Sequence, residues 1–190
     1  MKQLRSSRRY WSLLLKVVST LGLMLLVVPG VDVSADHSLG TEAQIAWQAR
    51  LDRVDDALAR NDLAGAETLW REAYAAALKS RHWEGMVAVA DSYRRLGERA
   101  GFRKISDAKA REAYLAALFR ARSRGLLEGV LRTAQGFAEL GDHAIVEQCI
   151  RIARTVASRS RDPRANERVR IFAERWDARA READYLGFMP

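Results

Sequence analysis

The sequence predicts an all-α fold, and three observations support this prediction. Apolar residues recur at helical spacing through most of the chain, whereas the alternating pattern of a β-strand is absent. Proline occurs only at positions 29, 163 and 190, so only glycine interrupts the helical pattern between residues 41 and 162. Residues 71–78 (REAYAAAL) return as residues 111–118 (REAYLAAL), 40 positions later. A fixed period of this length predicts helical units stacked into an array.

Residues 1–35 are predicted to be an export segment that does not belong to the fold. Basic residues open it, an apolar run occupies residues 17–28, and Val33, Ser34 and Ala35 provide a signal-peptidase site. Residues 7–11 (SRRYW) resemble a twin-arginine export box, from which Ser12 departs. An uncleaved anchor stays open, although an apolar core of roughly 12–16 residues is short against the ~20 that cross a bilayer. We therefore expect a periplasmic or cell-envelope protein, with attachment to the inner membrane as the alternative.

Composition argues against several function classes. The formal net charge of +8 divides into +4 from residues 1–35 and +4 from the remainder, where 27 Lys/Arg face 23 Asp/Glu. This mild excess, without dense basic runs, does not indicate a nucleic-acid partner. Cys149 is the single cysteine, so no internal disulfide is expected, and His37, His82 and His143 lie too far apart to predict a metal site. No phosphate loop or nucleophile elbow is present, so neither an enzyme nor a cofactor is predicted.

The first pair of helices is predicted to follow a short linker at residues 36–40. Thr41 and Gln44 form a capping box that opens the first helix. Asn61 and Asp62 end this helix and begin the next one. The apolar stripes of the pair are Trp47, Leu51, Val54 and Leu58, then Ala66, Leu69, Trp70, Ala73 and Ala77.

The second pair is predicted to begin near Arg81, with its turn at residues 96–98 around Gly97. Its first stripe is Met86, Val89, Ala90 and Tyr93. A longer loop is expected at residues 99–105, after which Ser106 or Asp107 would cap the next helix. Residues 113–119 are apolar nearly all round, which predicts a helix covered on both sides.

The third pair turns at residues 140–142, where Gly141 suits a left-handed C-cap and Asp142 an N-cap. Its stripes are Leu127, Val130, Leu131, Ala134, Phe137 and Ala138, then Val146, Cys149, Ile150, Ala153, Val156 and Ala157. Asp162 and Pro163 are predicted to restart the chain as N-cap and first helical residue. Residues 163–190 are interpreted as an amphipathic capping helix with a short tail.

These spacings resemble the tetratricopeptide repeat. Its small, aromatic and Gly-Asp positions are matched in the third unit by Val130, Ala134, Phe137, Gly141, Asp142, Ile150 and Ala153, whereas Val146 stands where the family has Ala. The resemblance implies a right-handed α-solenoid of about three helix-turn-helix repeats over residues 41–162. The period of 40 exceeds the family's ~34 residues, and the unit-ending Pro is missing, so other arrays of helical pairs with units near 40 residues stay open. The extra residues are assigned to the 99–105 loop and to the segments between pairs.

The resemblance also implies a binding groove lined by the first helix of each unit. The predicted groove residues are Val87, Asp91, Arg94, Leu131, Arg132 and Gln135, and Glu84, Arg95, Glu128 and Glu139 belong to the wider set. In this interpretation Val87 and Leu131 form an apolar floor, and Arg94 and Arg132 pair with carboxylates of a bound segment. The function expected is therefore a protein-interaction scaffold that binds a peptide or a helix. A membrane-anchored assembly factor, and an enzyme or small-ligand binder using the same groove, stay open as alternatives.

Arginines at the ends of the second helices form a predicted basic edge of the stack. Its members are Arg120, Arg122, Arg159 and Arg161. Compensation of helix dipoles, about 0.3–1 kcal/mol for each cation, accounts for such a pattern without any ligand. The functional interpretation is an edge for an acidic protein or an anionic membrane surface. The aromatic residues on the stripes are interpreted as core anchors: Trp47, Trp70, Tyr93, Tyr114 and Trp176.

Overall fold

The computed structural model describes the backbone of residues 34–187 and the side chains of residues 46–182. Within this range the chain forms seven α-helices and no β-strand, which confirms the predicted all-α class for these residues. The helices are α1 (Ser34–Ala59), α2 (Leu63–Ser80), α3 (Trp83–Ala100), α4 (Arg103–Ser123), α5 (Leu127–Glu139), α6 (His143–Ser158) and α7 (Ala165–Gly187).

The predicted export segment falls almost entirely on residues 1–33, outside the described range. By its contacts the chain divides after Ser38, and the features below belong to the unit Leu39–Pro190. None of the helices in the described part of the chain has the length and apolar character needed to span a membrane.

Helices α2 to α7 contact each other in a regular order. Each contacts the next helix along the chain, and α3 also contacts α5, α4 contacts α6, and α5 contacts α7. Helices α3, α5 and α7 therefore lie side by side in one layer, here called the A layer, and the ion pair of Asp55 with Arg95 joins α1 to it. Helices α4 and α6 form the B layer, and Arg120 on α4 joins α2 to it through the carbonyls of Ala77 and Leu78.

The core runs continuously between the two layers. The largest fully buried side chains include Tyr114, Phe137, Met86 and Leu96. All five aromatic residues predicted to be core anchors are buried, so that prediction is confirmed. The predicted stripes also face the core: Val54, Ala66, Val89, Val130, Val146 and Cys149 are fully buried.

Two predicted turns have the expected chemistry. Asp62 is the N-cap of α2, and its Oδ1 accepts a hydrogen bond of 2.9 Å from the Gly65 amide. Gly141 has φ +74°, as a left-handed C-cap requires. Asp142 stands at the N-cap position of α6, but its side chain makes no capping hydrogen bond and accepts from Arg111 at 2.6 and 3.0 Å instead. At the third restart, Asp162 Oδ1 accepts from the Arg164 amide at 2.9 Å, but α7 begins only at Ala165, so Pro163 lies in the turn before the helix.

The prediction of a turn at Gly97 is wrong. Helix α3 continues to Ala100, and Gly101, with φ +76°, provides the left-handed end. Gly97 is needed for packing instead, because a Cβ there would lie 2.0 Å from Ser106 Oγ and 2.3 Å from Ser106 Cβ on α4. The glycine therefore permits α3 and α4 to approach closely where they meet.

The predicted 99–105 loop is also wrong, since α4 begins at Arg103 after the N-cap Phe102. Neither Ser106 nor Asp107 caps the helix, and Ser106 Oγ instead donates to the Arg103 carbonyl at 2.8 Å. The extra residues of the long period are thus taken up by helix, because α3 has 18 residues and α4 has 21.

Two other expectations differ from the structure. Helix α1 begins at Ser34, so its backbone runs through residues 36–40, the predicted linker, and Thr41 lies inside the helix and not at its start. Helix α4 is not covered all round, because Leu115 is 48% exposed and Phe119 is 73% exposed. The contacts of α4 with α3, α5 and α6 bury its other faces and leave this outer face to solvent.

Candidate functional site

Carboxylate–arginine pairs link successive helices of the A layer at a nearly constant separation along the chain. The pairs are Asp55 with Arg95, 40 residues apart, Asp91 with Arg132, 41 apart, and Glu128 with Arg168, 40 apart. In each pair the carboxylate lies on the earlier helix and the arginine on the later one. The spacing of these pairs matches the 40-residue repeat of the sequence, and the pairs form a row across α1, α3, α5 and α7.

The middle pair is the most enclosed part of this row. The hydroxyl of Tyr114 donates to Asp91 Oδ1, and Arg132 Nη2 donates to Asp91 Oδ2. The side chain of Asp91 is 24% exposed and that of Arg132 is 35% exposed. Burial raises the pKa of Asp91 and outweighs the opposing effects of Tyr114 and Arg132. One carboxylate thus joins α3, α4 and α5.

A second cross-link lies one helical turn along α3. Arg94 Nη1 donates to Glu139 Oε2 at 2.6 Å, and Gln135 Nε2 donates to Glu139 Oε1 at 3.1 Å. Arg94 Nε also lies 3.7 Å from Asp107 Oδ1 on α4. Burial by itself would raise the pKa of Glu139, but the bonds from Arg94 and Gln135 and the charges of Arg94 and Arg132 lower it overall.

Two donors within this cluster have no acceptor. Arg94 Nε and Arg132 Nη1 are buried, and neither has a hydrogen-bond partner among the described residues. A buried donor without a partner costs about 1–3 kcal/mol, so an acceptor that reaches it is bound favourably. These two atoms, on neighbouring A-layer helices, are two of the five buried polar side-chain atoms without a partner in the described residues. Because neither is exposed, a ligand reaches them only when the side chains of Arg94 and Arg132 turn outward.

The structure brings four of the six predicted groove residues into this cluster: Asp91, Arg94, Arg132 and Gln135. Val87 is only 4% exposed and belongs to the core, so the expectation that it forms an open apolar floor is wrong. Leu131 is partly buried against the core. Arg94 and Arg132, which the groove interpretation pairs with carboxylates of a bound segment, each already pair with a carboxylate of the fold that ties α3 to α5.

The arginines of the predicted basic edge have different surroundings. Arg120 Nη1 donates to the carbonyls of His82 at 2.9 Å and Ala77 at 3.1 Å, and its Nη2 donates to Leu78 at 3.2 Å. It therefore satisfies the carbonyl end of α2, the preceding helix of the B layer. Burial, together with the nearby Arg124, lowers its pKa.

Arg122 and Arg159 belong to a different feature at the end of α4. Both line a cleft of about 500 Å³ between the ends of α4 and α6, with Ile152 and Val156 as its apolar wall. Arg161 is exposed on the turn after α6 and does not line this cleft. The four arginines of the basic edge therefore have three different settings. Arg120 bonds to carbonyls of the fold, Arg122 and Arg159 line a cleft, and Arg161 is exposed outside it.

Other reactive groups have structural surroundings. Cys149 is fully buried, and burial raises the pKa of its thiol to about 12. The described residues contain no group of three or more side chains suited to holding a metal ion. Trp176 is buried with its Nε1 donating to Glu147 Oε1 at 2.9 Å, which joins α7 to α6.

Sequence reasoning does not find the contact between Tyr114 and Asp91, because the apolar pattern identifies Tyr114 only as a core anchor. A signal is nevertheless present. Carboxylates at positions 55, 91 and 128 are each followed by an arginine 40 or 41 residues later, close to the period found between residues 71–78 and 111–118. Charged positions that share the period of the apolar ones are candidates for contacts between repeats.

Comparison of the chain with known protein families, with curated proteins and with solved structures finds no match.

Proposed function

We propose that the protein is a right-handed α-solenoid of about three helix-turn-helix repeats, similar to tetratricopeptide repeats, with α7 as its capping helix. The regular sequence in which the helices contact one another supports this. The separation of 40 or 41 residues between paired charges supports it as well. The charged face of α7 also supports a capping role, since Arg170 bonds to Glu167 and Glu174 on its own helix. A polar outer face is what closes the end of a stacked array.

Its function in this proposal is that of a protein-interaction scaffold, which binds an extended peptide or a helix across the A layer. The single observation that carries the proposal is the pair of unsatisfied donors, Arg94 Nε and Arg132 Nη1. When the two arginine side chains turn outward and expose these atoms, a carboxylate or carbonyl oxygen of the partner would accept from them, and Leu131 would contact an apolar side chain beside it. The proposal involves no catalysis, no cofactor and no nucleic acid.

The ion pairs that surround these donors define the partner further. Arg94 already pairs with the carboxylate of Glu139, and Arg132 already pairs with the carboxylate of Asp91. A bound carboxylate would therefore share a guanidinium with a resident carboxylate and would not meet a free cation. We expect modest affinity and strong dependence on geometry, which is typical of transient interfaces.

A peptide array tests the proposal and does not require the partner to be identified first. Wild-type protein and the Asp91→Asn/Arg132→Gln double variant are applied to an array of acidic 12-residue peptides. The double variant removes the donor of Arg132 and its counter-charge together, so no buried charge is left unpaired. Peptides that bind the wild type should bind the double variant about tenfold more weakly, or about 1.4 kcal/mol.

The matched control is Arg154→Gln, which removes an exposed arginine from α6 in the B layer. This control should bind as the wild type does. Equal binding by the wild type and the double variant would contradict the proposal that peptides bind at the A layer. Weakened binding by Arg154→Gln as well would mean that only overall charge matters.

Location in the bacterial envelope is proposed from residues 1–35 alone. Expression with residues 1–190 in a bacterial host, followed by intact-mass measurement, tests it. A product that starts at Asp36 supports export with cleavage. A full-length product recovered with the inner membrane supports the alternative, an assembly factor held by its uncleaved leader, and a full-length product in the cytosol contradicts both.

A further inference from the structure

The cleft between α4 and α6 is separate from the A-layer surface and has its own chemistry. Two guanidinium groups, Arg122 and Arg159, stand at a space of about 500 Å³ whose wall includes Ile152 and Val156. Neither arginine has a carboxylate within salt-bridge distance in the described part of the chain, whereas Arg94, Arg95, Arg111, Arg132, Arg168 and Arg170 each have one. The positive charge of the cleft is therefore not neutralised locally.

A hydroxyl donor adds to the two cations. Ser160 Oγ accepts a hydrogen bond of 3.1 Å from the Asp162 amide, so its own proton is available to a ligand. The hydroxyls of Ser123 and Thr155, which also line the cleft, instead donate to the carbonyls of Arg120 and Arg151. The cleft thus presents two charged donors and one neutral donor beside an apolar wall.

Compensation of helix dipoles explains arginines at helix ends without any ligand, and Arg120 is such a case. It also accounts for the positions of Arg122 in the last turn of α4 and Arg159 at the C-cap of α6. It does not account for the space that both arginines line. Arg122 and Arg159 form no side-chain hydrogen bond to a carbonyl in the described residues, in contrast to Arg120, and both line a space large enough for a small molecule.

We propose that this cleft binds a small organic oxyanion, a carboxylate or phosphate monoester that carries a short apolar group. The oxyanion contacts Arg122, Arg159 and Ser160, and the apolar group lies against Ile152 and Val156. The carbonyl ends of α4 and α6 carry partial negative charge, which weakens the binding of an anion at this place. The apolar group of the ligand therefore contributes a necessary part of the affinity.

Titration of the full chain by NMR with hexanoate and with hexyl phosphate tests the proposal and distinguishes the two oxyanions. Hexanol is the control that has the apolar group but no charge. Inorganic phosphate is the control that has the charge but no apolar group. Saturable shifts at residues of the cleft are expected for one or both amphiphilic anions. Arg122→Gln and Arg159→Gln should each weaken that binding by about tenfold, as loss of a charge-assisted contact does.

Arg161→Gln is the matched control, because Arg161 is exposed close to the cleft without lining it. It should bind as the wild type does. Several outcomes would overturn the proposal: no saturable binding of either anion, equal binding of hexanol, or unchanged binding by both cleft variants. The peptide array on the A layer is independent of this result, so either site can fail without the other.

Discussion

Arg132 on α5 donates to the carboxylate of Asp91 on α3, 41 residues earlier in the chain. Tyr114 on α4 donates to the same carboxylate. The pair repeats the geometry of Asp55 with Arg95, but it is more enclosed. The difference in burial makes the two pairs a natural comparison for what an inter-repeat ion pair contributes to stability.

Asp91→Ala is expected to lower the free energy of unfolding by about 2–3 kcal/mol, because it leaves Arg132 and Tyr114 without their acceptor in a half-buried site. Asp55→Ala removes the corresponding exposed carboxylate and should cost less than about 1 kcal/mol. Urea unfolding followed by circular dichroism measures both. Equal losses would mean that burial of the middle pair does not matter.

Gly97→Ala is expected to destabilise the protein by about 1–3 kcal/mol, since the added Cβ would lie 2.0 Å from Ser106 Oγ. Ser106→Gly in the same chain removes both obstructing atoms and should restore part of the loss. Urea unfolding of the single and double variants measures this coupling. If the two losses simply add, Gly97 does not serve the close approach of α3 and α4.

Arg120→Gln is expected to lower the free energy of unfolding by about 1–2 kcal/mol, because two carbonyls at the end of α2 and the carbonyl of His82 lose a charged donor. Arg122→Gln, two residues later on the same helix, is the control and should change stability by less than about 0.5 kcal/mol. Thermal unfolding compares them. A larger loss for Arg122 would reverse the roles assigned to the two arginines.

The lowered pKa of Glu139 predicts a pH dependence. A carboxylate whose pKa is lower in the folded state stabilises the protein above its unfolded pKa, and this contribution is lost as pH falls through the folded pKa. The stability difference between wild type and Glu139→Gln should therefore shrink from pH 6 to about pH 3. Asp91 is present in both proteins, but the charge of Glu139 is one cause of its raised pKa, so Asp91 also titrates differently in the variant. A difference that stays constant over this range would contradict the pairing with Arg94.

Cys149 should be unreactive in the folded protein. With a pKa of about 12 and no exposure, its thiolate fraction at pH 8 is about one in ten thousand. Mass spectrometry after treatment with iodoacetamide should show alkylation only when guanidinium is present. Rapid alkylation without denaturant would mean that α6 opens locally.

Prediction from sequence succeeds where the cause is local. The spacing of Val130, Ala134 and Phe137 specifies a helix face by itself, and all three are fully buried. Asp62 and Gly141 act through bonds and backbone angles within a few residues of their own position. The residue pattern alone is sufficient for these features.

The sequence by itself therefore determined the all-α class, the apolar stripes and two of the turns. Tertiary structure decided what depends on how helices cross. Gly97 resembles a turn residue in sequence, but the approach of Ser106 places it inside α3. Arg94 and Arg132 resemble free surface cations, but side chains 45 and 41 residues away neutralise them. Such pairings depend on the distance and angle between packed helices, which no short stretch of sequence contains.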